Sequence, residues 1–155
     1  MANTYSQIYI HVVFAVKGRA SLISPNWKED LYKYITGIVS ARSQKLLIIN
    51  GMPDHLHLLI GAKPDCCLSD LVRDIKAGSS KFIHDSGKVQ GRFEWQKGFG
   101  AFSVSTSQLD VLFRYIRNQE EHHKKKTFLQ EYKETLERHH IDFNSNYLFE
   151  EVDLN

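Results

Sequence analysis

Two histidines one residue apart, His55 and His57, are the side chains of this sequence with the clearest chemical potential. They lie in Gly51-Met52-Pro53-Asp54-His55-Leu56-His57-Leu58-Leu59-Ile60, an apolar run opened by Gly and Pro and closed by Gly61. From His55 onward that pattern reads as a short β-strand. Alternate side chains of a strand share a face, so both imidazoles point one way while Leu56, Leu58 and Ile60 point the other, toward a core. At a rise of about 3.3 Å per residue the two histidines start about 7 Å apart and can converge on one divalent cation. Two ligands rarely complete a site, so a further donor has to come from elsewhere. Asp54 is either an acceptor that orients a histidine or an ordinary turn residue.

The elements that must hold this pair follow from periodicity. Residues 4–16 alternate, with Ile8, Ile10, Val12, Phe14 and Val16 on one face and Tyr5, Gln7, Tyr9 and His11 on the other, which predicts a first strand with one buried side. His11, lone on that second face, reads as structural or exposed. Ser24-Pro25 is a plausible helix start, and Trp27, Leu31, Tyr34, Ile35, Ile38 and Val39 recur at three and four. Residues 45–50 read as a second strand, joined to the histidine strand by a loop of about four residues, 51–54. A second helix spans 68 to about 83 with Leu68, Leu71, Val72, Ile75 and Phe82 as its stripe. Its cations Arg73, Lys76 and Lys81 are a solvated face or a nucleic-acid contact.

Residues 92–104 interleave aromatics, cations and glycines (Arg92, Phe93, Trp95, Lys97, Gly98, Phe99, Gly100, Phe102). That composition suits base stacking beside a close phosphate backbone, and equally a core-facing fourth strand with glycine bulges. A third helix is predicted from 108 to about 125, with Leu109, Leu112, Phe113 and Ile116 buried. Tyr115 and Gln119 lie one turn apart on its flank, His122 about a turn further, so the three can face one pocket. The run His122-His123-Lys124-Lys125-Lys126 near the helix C-terminus needs no role beyond favouring the dipole. A fourth helix, 128 to about 139, and an irregular tail with an acidic, loose end complete the chain. The order strand, helix, strand, strand, helix, strand, then helices is the split βαβ pattern. It predicts an α+β, ferredoxin-like or RRM-like antiparallel sheet with helices on one face.

The 155 residues, 42% apolar and 25% charged, suit one domain over 1–155. A net charge of +2 is too small to identify a partner. Adjacent Cys66 and Cys67 suit neither a structural disulfide nor a zinc knuckle and read as reduced thiols of a cytoplasmic protein. No stretch approaches the length of a membrane span.

With these motifs in order, the chain resembles a family. His55-Leu56-His57 is similar to the His-hydrophobic-His motif of HUH endonucleases. Tyr115-Ile116-Arg117-Asn118-Gln119 resembles the tyrosine helix of the small single-tyrosine transposases of bacterial insertion sequences, including the REP-associated group. Met52-Pro53-Asp54 and Trp95-Gln96-Lys97-Gly98-Phe99 add to the likeness, which spans nearly the whole chain. Phe99 stands where the pattern has a tyrosine, keeping a ring and losing a hydroxyl.

The resemblance implies that His55, His57 and Gln119 hold Mg2+ or Mn2+. It makes Tyr115, on a C-terminal helix, the nucleophile that cuts single-stranded DNA, leaving a 5′-phosphotyrosine and a free 3′ hydroxyl for strand transfer. It implies hairpin-ended DNA as substrate, for which Arg73, Lys76, Lys81, Arg92, Trp95 and Lys97 are the candidate contacts by composition. It also implies a homodimer whose active sites combine the histidines of one subunit with the tyrosine of the other. A non-catalytic binder of hairpin DNA or RNA is the alternative expectation.

Overall fold

A computed structural model describes residues 3–142. Strands β1 (Ile8–Ala15), β2 (Lys45–Met52), β3 (His55–Ala62) and β4 (Gly100–Val104) form one antiparallel sheet in the order β2-β3-β1-β4. Helices α1 (Lys28–Ala41) and α2 (Leu68–Asp85) complete a βαββαβ unit, followed by α3 (Leu109–Arg117), α4 (Gln119–His123) and α5 (Phe128–Arg138). This is the α+β, ferredoxin-like arrangement that the alternation of periods predicts. The acidic end of the tail lies outside the described residues.

The alternation that sorts side chains to opposite faces builds two cores. On one face Val12, Phe14, Leu56, Leu58 and Ile60 pack with Leu31, Ile35 and Val39 of α1 and Leu71, Val72 and Ile75 of α2. Each such side chain contributes about 1.5–3 kcal/mol of hydrophobic stabilisation when buried. On the other face Val13, Ala15 and Phe102 meet Phe128, Tyr132 and Leu136 of α5. The expectation of a single buried side for β1 is therefore corrected. Residues 11–16 are all buried, because α5 covers the face that His11, His55 and His57 share.

The β2–β3 hairpin is tighter than the predicted four-residue loop, since Met52 already pairs with His55 and only Pro53 and Asp54 turn the chain. Gly51 permits this: a Cβ there would lie 2.1 Å from the His55 carbonyl oxygen. The predicted single helix of 108–125 is two. It breaks at Asn118 (φ −100°, ψ 32°), between α3 and α4. Of the expected stripe only Ile116 is fully buried, and Phe113 is 37% exposed. With the chain turned at Asn118, Gln119 becomes wholly buried.

Candidate metal centre and nucleophile

The tight hairpin delivers Asp54 beside His55. The carboxylate oxygen Oδ1 lies 2.7 Å from His55 Nδ1, so Nδ1–H donates to it. Of the two roles open to Asp54 in the sequence, the orienting one is realised. Burial alone would raise the Asp54 carboxyl, but the bond from His55 holds it below the usual carboxylate range. With Nδ1 carrying the hydrogen, His55 Nε2 presents a lone pair in a fully buried position, and it has no hydrogen-bond partner. The ring is fixed by stacking on Phe128, centroids 3.8 Å apart.

His57 is held from the other side. Its Nδ1 lies 2.9 Å from His11 Nε2, so His11 is buried against a histidine of the adjacent strand. Burial and the neighbouring His57 keep His11 well below the ordinary histidine pKa, and it stays neutral. His57 Nε2 lies 2.7 Å from Glu131 Oε1, outside hydrogen-bond directionality. Glu131 Oε2 is 2.9 Å from His123 Nε2 and 3.0 Å from His122 Nε2. Burial would push this carboxyl up, but pairing with His123 and His57 holds it far below the carboxylate range.

His123 shows what the cluster is shaped for. Its Nδ1 lies 3.1 Å from the Lys126 carbonyl, which can only accept, so Nδ1 bears a hydrogen. Its Nε2 then faces two oxygens, Glu131 Oε2 and, at 3.1 Å, Gln119 Oε1. A neutral ring would set a lone pair against oxygen lone pairs there. A positive charge at that point, a proton or a metal ion, removes the conflict. One donor atom from each of His55, His57, His123 and Glu131 falls within 4.8 Å of all the others. The buried His55 Nε2, His57 Nε2 and Glu131 oxygens converge without hydrogen-bond partners, a set that fits a divalent cation.

Tyr115 stands at the edge of this cluster. Its ring is perpendicular to that of His57 with centroids 5.8 Å apart, and its hydroxyl is 3.4 Å from His122 Nε2. Burial, then the charge of Glu131, raises the phenol well above its ordinary pKa. A cleft of about 420 Å³ between β4, α3 and α5 reaches the phenol, with Phe102, Val111 and Leu112 among its walls.

All four residues expected at the centre are thus neighbours within one chain. Gln119 meets the cluster through His123, and its amide also donates to the Tyr115 carbonyl at 3.3 Å. Within the single chain the Tyr115 ring lies beside its own His57.

The expected nucleic-acid residues lie elsewhere. Arg73, Lys76 and Lys81 ride on α2, across the sheet from the histidines. Arg73 pairs with Asp70 and Asp74, Lys81 with Asp85, and Arg92 with Glu94. Lys97 is exposed. Lys76 donates to the carbonyls of Gln96 and Gly98, and burial pushes its pKa down to about 8. Trp95 packs edge-on between Phe14 and Phe93 and donates to Ser79 Oγ at 2.9 Å. These two hold the glycine-rich loop against the body of the protein rather than lying open to a base.

Sequence reasoning missed Glu131, His123 and the bond made by His11. Glu131 had a signal: residues 128, 131, 132, 135 and 136 form one buried helical face, and a carboxylate occupies an apolar position in it. His123 gave none, because cations near a helix C-terminus are ordinary.

The sheet and the α5 packed on its histidine face define an α+β fold with a histidine–carboxylate donor cluster beside a tyrosine hydroxyl. The model of the family described as "Transposase IS200 like" matches residues 4–119, and the chain belongs to that family. It is a DNA-processing enzyme of the transposase class. The chain is similar to the ISDra2 transposase TnpA of Deinococcus radiodurans, 24% identical over 118 residues that cover 73% of this chain and 84% of the relative. The fold is shared with a crystal structure of a Deinococcus radiodurans R1 protein assigned as a transposase. There the TM-score is 0.61 and the identity 22%, covering 77% of this chain and 95% of that one. It is shared too with a REP-associated tyrosine transposase bound to a REP hairpin. In that case the TM-score is 0.56 and the identity 19%, with 76% of this chain and 70% of that one covered. Among the described residues no helix is long and apolar enough to cross a membrane.

Proposed function

We propose that this transposase is an HUH-type enzyme that cuts and rejoins single-stranded DNA through Tyr115. His55 and His57 would hold a divalent cation, Mg2+ or Mn2+, with His123, Glu131 and Gln119 as the neighbouring donors. The observation that carries this reading is the convergence of four donor atoms within 4.8 Å beside a tyrosine hydroxyl that a cleft reaches. When bound, the cation supplies Lewis acidity, polarising the scissile phosphate and steadying the departing 3′ oxygen. Carboxylate and carboxamide oxygens suit magnesium or manganese, and the share of imidazole tilts the set toward manganese.

The remaining work falls to the chain itself. Tyr115 Oη attacks phosphorus, and its bond to phosphorus forms as the P–O3′ bond breaks, leaving a 5′-phosphotyrosine and a free 3′ hydroxyl. The number of phosphoester bonds is unchanged, so no nucleotide cofactor is consumed. A phenol attacks well only as it loses its proton, and burial beside Glu131 holds that proton on. His122 Nε2, 3.4 Å away, is placed to take it. The proton finally resides on the 3′ oxygen. Attack by another 3′ hydroxyl reverses the sequence and joins new ends.

The substrate in this reading is hairpin-ended DNA, as for the neighbour bound to a REP hairpin. Arg73, Lys81, Arg92 and Lys97 contact backbone phosphates, and Lys76 and Trp95 act through the loop they hold. The protein works as a homodimer in the cytoplasm, with the exposed Val111 and Phe113 of α3 covered by the second copy.

The test is incubation with labelled hairpin-flanked single strands and Mn2+. A covalent protein–DNA adduct that disappears in Tyr115→Phe is expected. Tight binding with no adduct in the wild type would leave the non-catalytic binder as the reading.

A further inference from the structure

A helix that stops leaves its last carbonyls without amide partners. At the end of α3, Ile116 and Arg117 expose two such oxygens just before the chain turns at Asn118. Both are taken by one side chain 66 and 67 residues earlier: Asn50 Nδ2 donates to the Ile116 oxygen at 3.0 Å and to the Arg117 oxygen at 3.0 Å. The orientation of that amide is set from a third element, because the Tyr32 hydroxyl of α1 lies 3.5 Å from Asn50 Oδ1. Burial raises the Tyr32 pKa, so this phenol keeps its hydrogen and remains a donor.

Asn50 is also the cross-strand partner of His57 in the β2–β3 ladder. One backbone position therefore carries a rigid link from the histidine strand to the helix of Tyr115. We propose that Asn50 is a positioning residue for the proposed cleavage reaction: by capping the end of α3 it sets where Tyr115 stands relative to His57, and it turns Gln119 inward. This rests on the assignment of Tyr115 as nucleophile. The side-chain bonds of Asn50 run to the α3 carbonyls and to Tyr32, not to the reacting atoms.

Asn50→Asp keeps the size and the acceptor for Tyr32 but sets an oxygen against two carbonyl oxygens. Asn50→Ala, which leaves those carbonyls to water, is the second variant in case the carboxylate proves too disruptive for folding. A nucleophile displaced by about 1 Å costs on the order of 100-fold in rate. The expected result is kcat for adduct formation lowered about 100-fold, with KM for the hairpin strand and melting temperature each close to wild type. Hydrogen exchange at residues 114–122 should quicken while exchange in β1 and β3 does not. Full activity in both variants overturns the proposal. So does a loss of kcat that tracks a fall in melting temperature, since that is a merely structural role. If the wild type itself forms no adduct, the cleavage reading fails separately. The exchange pattern then decides whether Asn50 fixes the α3–α4 junction, and unchanged exchange refutes it.

Discussion

A carboxylate with three imidazole nitrogens between 2.7 and 3.0 Å away carries a full negative charge into a site from which solvent is excluded. Such a charge is tolerated in the interior only with a compensating cation. Glu131→Gln keeps the shape and removes the charge. Mn2+ affinity in titration calorimetry should fall by at least about 10-fold, the lower end of the effect of losing even an indirect partner. Asp54 acts at one remove, through His55. Its folded carboxyl lies below the ordinary value of 3.8, so its stabilisation is complete above the usual carboxylate range and is lost as pH falls below it. A carboxamide in its place cannot contribute this. Urea midpoints measured from pH 6 down to pH 3 should show the wild type ahead of Asp54→Asn at neutral pH, and the gap narrowing below about pH 4. A constant gap would mean that the Asp54 contribution is not ionic.

Among elements, the β2–β3 hairpin sets the histidines, and its tightness depends on a missing side chain. Gly51→Ala brings a methyl group to 2.1 Å from the His55 oxygen, a backbone atom that cannot swing away. The strands must part, at a cost of about 1–3 kcal/mol in denaturant unfolding, and Asp54 should lose its hold on His55. The histidine strand, the two sheet helices and the succession of elements along the chain are legible in the sequence because each is a matter of local periodicity. The α3–α4 break is not. No glycine or proline marks Asn118, and the donor that stabilises the turn sits on β2. Nor does periodicity say which face of the sheet α5 covers. That is decided by Phe128, Tyr132 and Leu136 finding Val13, Ala15 and Phe102, and Glu131 reaches the histidines only as a result. The residues that sequence reading assigned to the site belong to local motifs, and those it missed arrive by tertiary packing.

The whole molecule separates two kinds of surface. The donor centre and its cleft lie between the sheet and α5, while Arg73 and Lys81 lie on α2 beyond the opposite face. A strand that reaches both must pass around the edge of the sheet. Lys97→Gln combined with Arg92→Gln should therefore weaken hairpin binding and reduce the slope of log affinity against log salt by about 0.9 for each phosphate no longer neutralised, leaving Mn2+ affinity unchanged. Mixing His55→Ala with Tyr115→Phe subunits tests how the sites are composed. A chain that holds all its groups together gains nothing from mixing, whereas exchanged tyrosine helices would restore one intact site and hence adduct formation.

The segment that matches the family ends at Gln119, and the carboxylate of the centre comes later, on the last described helix. Protein synthesis runs from the N-terminus, so a nascent or prematurely terminated copy possesses the phenol and the histidine strand before it possesses Glu131. In the proposed reading such a copy carries the phenol and the histidines without the carboxylate that balances the charge of the cation.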